Sequence, residues 1–397
     1  MQDLSFNPND PQFLADPYPT YHRLRAHDPV HHSPLGFWVL TRYADVVATL
    51  RDSRFSKQAV PASLAQRFGR PLPEDLGRSM LDRDPPDHTR LRGLVSKAFT
   101  PSAIEALRPR IQKTVDALID AVERAGRMEV MAQFAYPLPV MVICEMLGVP
   151  VRDQERFRGW SVDITRGLDA VMMPHGAALA ARARMARRDL AAYFRELVAE
   201  RLASPGADIL SALIAAEEAG DKLTEHELIG NLVLLLVAGH ETTVNLLGNG
   251  ILALLKHPHQ LALLRSRPEL IETAVEELLR YDTPLQRTAR IATTDVAIDG
   301  QTIRAGDMVM QFFGAANRDP LQFPDPDRLD VTRGDNRHIA FGWGIHFCLG
   351  AMLARAEAQI AIGTLLRRLP NLALATMRPE YRDSLTFRGL KALLVTF

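Results

Sequence analysis

The longest stretch that holds a helical pattern without a break opens at Thr224, where Glu227 three residues later completes a capping box, and it meets no stop signal before Lys256-His257-Pro258. About 30 residues at 1.5 Å each make a rod of ~45 Å, long enough to cross a whole domain. Tyr43 to Arg51 and Thr100 to Gly126 also show helical spacing. Gly176 to Leu202 is rich in Ala, Arg and Leu, strong helix formers, until Ser204-Pro205-Gly206 stops it. Pro268-Glu269 opens a further helix that reaches Tyr281, and Thr283-Pro284 ends it. Short β-like pieces surround Trp38-Val39-Leu40. From Leu285 to Gln311 the period shifts: alternation around Val296-Ala297-Ile298, the Asp299-Gly300 turn, then Thr302-Ile303 and Met308-Val309-Met310 predict a small antiparallel sheet. A loop rich in Asp, Pro and Arg follows from Asn317 to Arg337, and the last helix is predicted to start around Cys348 and run through Leu366. The pattern is mainly α with a minor β part, β-rich near 30–60 and 285–311. No repeat, low-complexity tract or composition shift marks a boundary, so one domain over residues 1–397 is expected.

Composition narrows what such a fold can do. The 397 residues are 47% hydrophobic and 24% charged, which suits a globular core large enough to enclose a cavity and excludes disordered and collagen-like chains. The 47 basic residues balance 47 acidic ones, so the global charge signature of a nucleic-acid or anionic-membrane partner is absent. Met1 to Asp10 is polar and acidic, unlike a signal peptide. The most apolar run, Leu232 to Ala238, is far below the ~20 residues that span a bilayer. A cytoplasmic protein without a membrane segment, most simply a monomer, is therefore expected. Two cysteines, Cys144 and Cys348, exclude cysteine-only zinc sites, cysteine-bound iron–sulfur clusters and a CxxCH haem attachment.

Cys144 reads as a packing residue in an apolar helix, whereas Cys348 sits in Phe341-Gly342-Trp343-Gly344-Ile345-His346-Phe347-Cys348-Leu349-Gly350. Three glycines there let backbone approach a flat ligand. A helix N-terminus beside the sulfur favours thiolate, and a thiolate can ligate iron. The plain alternative is a buried cysteine beside a tight turn. A second constellation, Ala238-Gly239-His240-Glu241-Thr242-Thr243, puts an acid and a hydroxyl into an apolar helix face, where charge is costly unless it is solvated, paired or used. A zinc-protease reading fails because the second His of HExxH would fall on Val244. Glu277 and Arg280 stand at i and i+3, able to pair.

The cysteine segment resembles the ligand loop of the haem-thiolate monooxygenases, the cytochrome P450 family, and fills every position of its pattern. The resemblance runs from Asp16-Pro17-Tyr18-Pro19 through Ala315-Ala316-Asn317-Arg318-Asp319-Pro320, nearly the whole chain. It implies the triangular, mostly helical P450 fold with small antiparallel sheets, and Cys348 as axial ligand of haem b iron. It also implies Phe341 packed near the sulfur, with Gly342 and Gly350 shaping the loop. Ala238-Gly239 would lie against the haem, with Gly239 leaving room for oxygen. Thr242 would hydrogen-bond the oxygen being activated, and Glu241, with water, would relay protons. Glu277 and Arg280 match ExxR, with Arg328 as the third member of the trio. His88 and Arg92, Arg290 and His346 would bind the propionates, since carboxylates entering an apolar pocket demand charge-assisted partners.

The resemblance further implies one oxygen atom of O2 inserted into a hydrophobic small molecule, whether fatty-acyl, terpenoid, steroid or macrolide-like. Substrate contacts are expected from Gln58 to Leu81, from Met172 to Ala178, and from Val237, Ala238, Leu285, Gln286, Leu385 and Thr386. No flavin- or nicotinamide-binding fingerprint is present, so electrons from NAD(P)H must arrive through a separate ferredoxin or flavodoxin and its reductase. Arg90, Arg92, Lys97, Arg337 and Arg355 form a candidate basic docking face. A peroxygenase using hydrogen peroxide and a haem-based sensor without turnover are the rival readings.

Overall fold

The computed structural model describes residues 6–68, 79–170, 172–173, 175–218, 221–375 and 378–397. In chain order its helices are α1 (Pro11–Ala15), α2 (Tyr18–His27), α3 (Tyr43–Arg51), α4 (Ala59–Phe68) and α5 (Asp87–Ser96). There follow α6 (Pro101–Glu123), α7 (Pro137–Met146), α8 (Gln154–Gly167), α9 (Gly176–Ala203) and α10 (Ile209–Ala215). The last five are α11 (Glu225–Lys256), α12 (Pro258–Ser266), α13 (Ile271–Tyr281), α14 (Phe313–Ala316) and α15 (Ala351–Arg368).

The capping box at the head of α11 forms as the sequence predicts. The Thr224 N–H donates to Glu227 Oε2 at 2.9 Å, and the Glu227 N–H returns to Thr224 Oγ1 at 3.3 Å. The 32 residues that follow make roughly 48 Å of helix. By length and composition α11 passes as a membrane span, yet 67% of its most apolar window is buried in the protein, as befits a core helix. The last helix starts three residues later than expected, at Ala351 with Gly350 as its N-cap, so Cys348 lies on the loop and not in the helix.

The chain divides into two compact units. The first comprises Met1–Ser56, Arg108–Leu138 and Thr242–Phe397, and holds most of the β structure. Its main sheet contains β1 (Val30–Ser33), β2 (Phe37–Leu40), β3 (Phe55–Ser56), β7 (Arg287–Ala292) and β10 (Met308–Phe312), in the order β1-β2-β10-β7-β3, while the short strands β4 (Arg127–Glu129), β5 (Glu217–Glu218) and β6 (Asp221–Lys222) pair elsewhere. Three of its four pairings are antiparallel, but β10 pairs with β2 in parallel, Met310 opposite Val39. Within 285–311 the strands pair antiparallel as expected, β7 with β10 and β8 (Val296–Ile298) with β9 (Gln301–Ile303), but the β7–β10 pair is extended by strands from the first 60 residues. Trp38, Leu40, Phe55, Val309 and Phe313 pack into one apolar cluster against this sheet.

The second unit, Lys57–Leu107 with Pro139–Glu241, is built around α8, α9 and the first half of α11. Phe157 of α8 meets the Tyr193 ring of α9 edge-on at 5.0 Å. The division between the units falls inside α11, between Glu241 and Thr242.

Candidate active site

The loop at residues 341–350 is irregular and none of its ten residues is buried. Gly342 and Gly344 take φ of 71° and 73°, left-handed values that a side chain resists, and a Cβ on Gly344 would come within 2.5 Å of the Leu50 carbonyl oxygen. Those two reversals fold the loop back so that the Cys348 N–H donates to the Phe341 carbonyl at 2.9 Å, while the Phe347 N–H donates to Gly344. Cys348 is half-buried. Cys144, fully buried on α7, has its thiol pushed up to about 12 by desolvation, as suits a packing residue.

On α13, Arg280 grips Glu277 through Nε at 2.7 Å and Nη2 at 2.8 Å, both side chains fully buried. The same guanidinium donates to the carbonyls of Asn317, Pro326 and Arg328. The third member of the trio is not the one expected. The Arg328 side chain is 65% exposed and pairs with Asp330, contributing only its carbonyl, whereas Arg333 reaches Glu277 at 3.1 Å. The Asp330 N–H and Asn336 complete the Glu277 shell.

Two cations assigned to a docking face are also committed elsewhere. Arg355 binds Glu276 bidentately, 2.7 Å on each arm, and lies 4.5 Å from the Phe341 ring centre. Arg90 pairs with Glu227 and Asp221. Arg337 stays on the surface beside Asp335.

Phe341, His346, Arg290 and Thr242 belong to the first unit, with Cys348; His88, Arg92, Ala238, Gly239 and Glu241 belong to the second. His88 and Arg92 share one face of α5, four residues apart, His88 buried and Arg92 half-buried. Arg290 is buried on β7 and donates through Nη1 to Thr288 Oγ1 and the Ala289 carbonyl. His346 is half-buried in a short 3-10 turn.

In the middle of α11, otherwise largely buried, Ala238 is exposed and Val237, Gly239 and Thr242 are half-buried. Glu241 is buried. Gly239 has a reason other than making room for oxygen: a Cβ there would meet Ile143 of α7 at 3.1 Å, so the missing side chain is filled by helix packing.

The sequence reading missed His240. Its Nδ1 donates to the Leu236 carbonyl at 2.7 Å, which leaves Nε2 to accept the Ser161 hydroxyl at 2.8 Å and ties α11 to α8. HExxH was the only template that drew attention to it, and that template fails. A buried His on an apolar helix face, with no obvious partner nearby in sequence, is the signal that could have found it.

The expected substrate contacts part company. Leu285 is half-buried and bridges Phe387. Gln286, however, is fixed inside the protein by the Tyr21 hydroxyl at 3.0 Å and the Thr283 carbonyl at 2.6 Å, so its side chain is a structural tie. Leu385 is buried, and Thr386 offers its carbonyl to the Gln286 N–H. Of the segment Gln58 to Leu81, residues 69–78 lie outside the described residues, as does Pro174 of Met172 to Ala178.

The donor chemistry fits a haem. Cys348 offers one half-buried thiol on an open glycine loop, the kind of single sulfur donor that haem iron takes.

A family model described as Cytochrome P450 matches residues 30–267 and 265–380, and the chain belongs to that family. It is 45% identical over 395 residues to the biotin biosynthesis cytochrome P450 of Bacillus subtilis (strain 168), covering 97% of each chain. Cytochrome P450 monooxygenase PikC of Streptomyces venezuelae is also 45% identical, over 96% of this chain and 91% of its own. Among solved structures, P450BioI in complex with hexadec-9Z-enoic acid ligated acyl carrier protein superposes with a TM-score of 0.88 at 43% identity, covering 98% of this chain and 100% of that one. The protein is a cytochrome P450 monooxygenase, and its family uses haem-thiolate iron and O2.

Proposed function

We propose that the chain works as one domain in the cytoplasm and inserts one oxygen atom from O2 into a hydrophobic small molecule of the fatty-acyl, terpenoid, steroid or macrolide-like kind. Haem b, held by the Cys348 thiolate, supplies the oxygen-activating iron. The observation that carries this reading is the 341–350 loop, whose left-handed glycines present a single half-buried thiol beside a helix N-terminus.

The protein's own groups divide the remaining work. His88 and Arg92, and likewise Arg290 and His346, would serve as propionate partners, supplying the cationic and N–H donors that carboxylates in an apolar pocket require. Glu241, an acid buried within a helix, takes a proton at its carboxylate and passes it on through water, and the Thr242 hydroxyl fixes where that proton is delivered. Val237 and Ala238 present small apolar surface to the substrate and exclude water.

A fatty-acyl chain has added support from similar proteins, one of which was solved with an acyl chain on its carrier protein and another, CYP267B1, with myristic acid. Electrons come from NAD(P)H through a separate ferredoxin or flavodoxin and its reductase, because no segment of the chain has a flavin or nicotinamide fingerprint.

The test is a carbon-monoxide difference spectrum of the reduced protein. A red-shifted, thiolate-type band that Cys348→Ser abolishes supports the reading. No such band, or one that survives the substitution, defeats it.

A further inference from the structure

Glu276 and Glu277 are consecutive on α13 and therefore point about 100° apart. Glu277 turns toward Arg280 and Arg333, in the network already described, whereas Glu276 turns toward α15 and the residues that lead into the cysteine loop. We propose that Glu276, Arg355 and His338 form a charge-balanced brace for the haem-ligating loop, in which the Arg355 guanidinium against the Phe341 ring seats the loop and sets the electrostatic field at Cys348. This rests on Cys348 being the iron ligand.

Each contact has a stated geometry. Arg355 spends its Nε and Nη2 on the two Glu276 oxygens, both at 2.7 Å, and its Cζ lies over the Phe341 ring, 4.5 Å from the ring centre. Only a planar fork can grip a carboxylate and stack on a ring together; an ammonium cannot. His338 Nδ1 accepts the Ala340 N–H at 3.2 Å, so in the neutral ring Nε2 carries the proton and donates to Glu276 at 3.1 Å. Burial works to raise the Glu276 carboxyl, yet the Arg355 and His338 hydrogen bonds outweigh it and hold it down at about 2. Phe341 in turn accepts the Cys348 N–H at 2.9 Å, so the stacked residue and the ligand residue are joined directly. The Arg355 cation and the Glu276 anion offset each other, and removing either leaves the other uncompensated. All three are positioning residues, since they act on the site through Phe341.

The experiment compares the haem midpoint potentials of holoprotein carrying Glu276→Gln, Arg355→Met and Arg355→Lys. An uncompensated cation favours the added electron, so Glu276→Gln moves the midpoint up; an uncompensated anion disfavours it, so Arg355→Met moves it down. Arg355→Lys restores a midpoint close to the parent's but converts sooner to the form lacking the thiolate band on warming, because the stacked fork is gone. Should Arg355→Met not accumulate as holoprotein, Arg355→Gln keeps a donor without the charge and carries the same downward shift. A purely structural role would move both charge variants in the same direction, through loss of the thiolate; shifts of one sign, or none, overturn the proposal. A parent protein without a thiolate-type carbon-monoxide band defeats the functional reading instead, which separates the two failures.

Discussion

The cysteine loop and the middle of α11 carry the two halves of the proposed chemistry on opposite kinds of backbone. Residues 341–350 are irregular and open, with two left-handed glycines. The loop makes few backbone bonds of its own, and the chain leading into it is fastened by side chains: Glu277 alone accepts hydrogen bonds from Arg280, Arg333, Asn336 and the Asp330 N–H. Residues 237–243 lie within regular helix, whose backbone bonds are internal. There the fastening is apolar packing, such as Ile143 against Gly239, with the His240–Ser161 hydrogen bond as a polar tie. The irregular loop thus leans on buried charge in the chain that leads into it, whereas the middle of α11 is held mainly by its neighbours' shape.

The largest effect should come from cutting the charge network. Arg280→Met strips Glu277 of its bidentate partner and orphans three carbonyls, and breaking a buried pair of this kind costs about 3–5 kcal/mol. Denaturant unfolding of the holoprotein should show that loss, together with reduced haem retention. An unchanged midpoint in denaturant would mean that the loop does not depend on this network.

Gly344→Ala probes the loop itself. The new methyl would face the Leu50 carbonyl at 2.5 Å, a backbone atom with no freedom to move aside, at a φ of 73° that alanine resists. A loss of about 2–3 kcal/mol, with a diminished thiolate-type band, is the expected outcome. Full retention of both stability and band would show that the loop has slack.

How far the sequence exposed these two regions differs for the same physical reason. The α11 helix was legible because its signals are local: Thr224, Glu227 and Pro258 lie at its own ends. Glu277 with Arg280 was legible as one helical turn. The third cation was not, because Arg328 and Arg333 sit in the same irregular loop and only its path decides which side chain turns inward. Arg355 and Arg90 looked like free surface charge because their acids, Glu276 and Glu227, are 79 and 137 residues away along the chain. The parallel pairing of β2 with β10 was hidden likewise: neither strand contains a sign of the other, some 270 residues distant. Gln286 was assigned to the substrate from its neighbourhood, whereas its partner Tyr21 lies 265 residues away along the chain and leaves no local sign.

The smallest effect is expected at Gly239, and it separates two explanations of one glycine. If the residue is glycine to leave room for oxygen, Gly239→Ala should cut product formation severely while leaving the fold intact. The geometry predicts otherwise. An added Cβ points at Cγ1 and Cδ1 of Ile143, both at 3.1 Å, and these are side-chain atoms able to shift by a few tenths of an ångström. Replacing a helical glycine by alanine gains up to ~1 kcal/mol in propensity, against a comparable cost of crowding Ile143. Stability should therefore stay within about 1 kcal/mol of the parent, and product formed per electron supplied should fall by no more than a few-fold. A loss beyond tenfold at unchanged stability would return Gly239 to the oxygen site, and α11 would then depend on more than the shape of its neighbours.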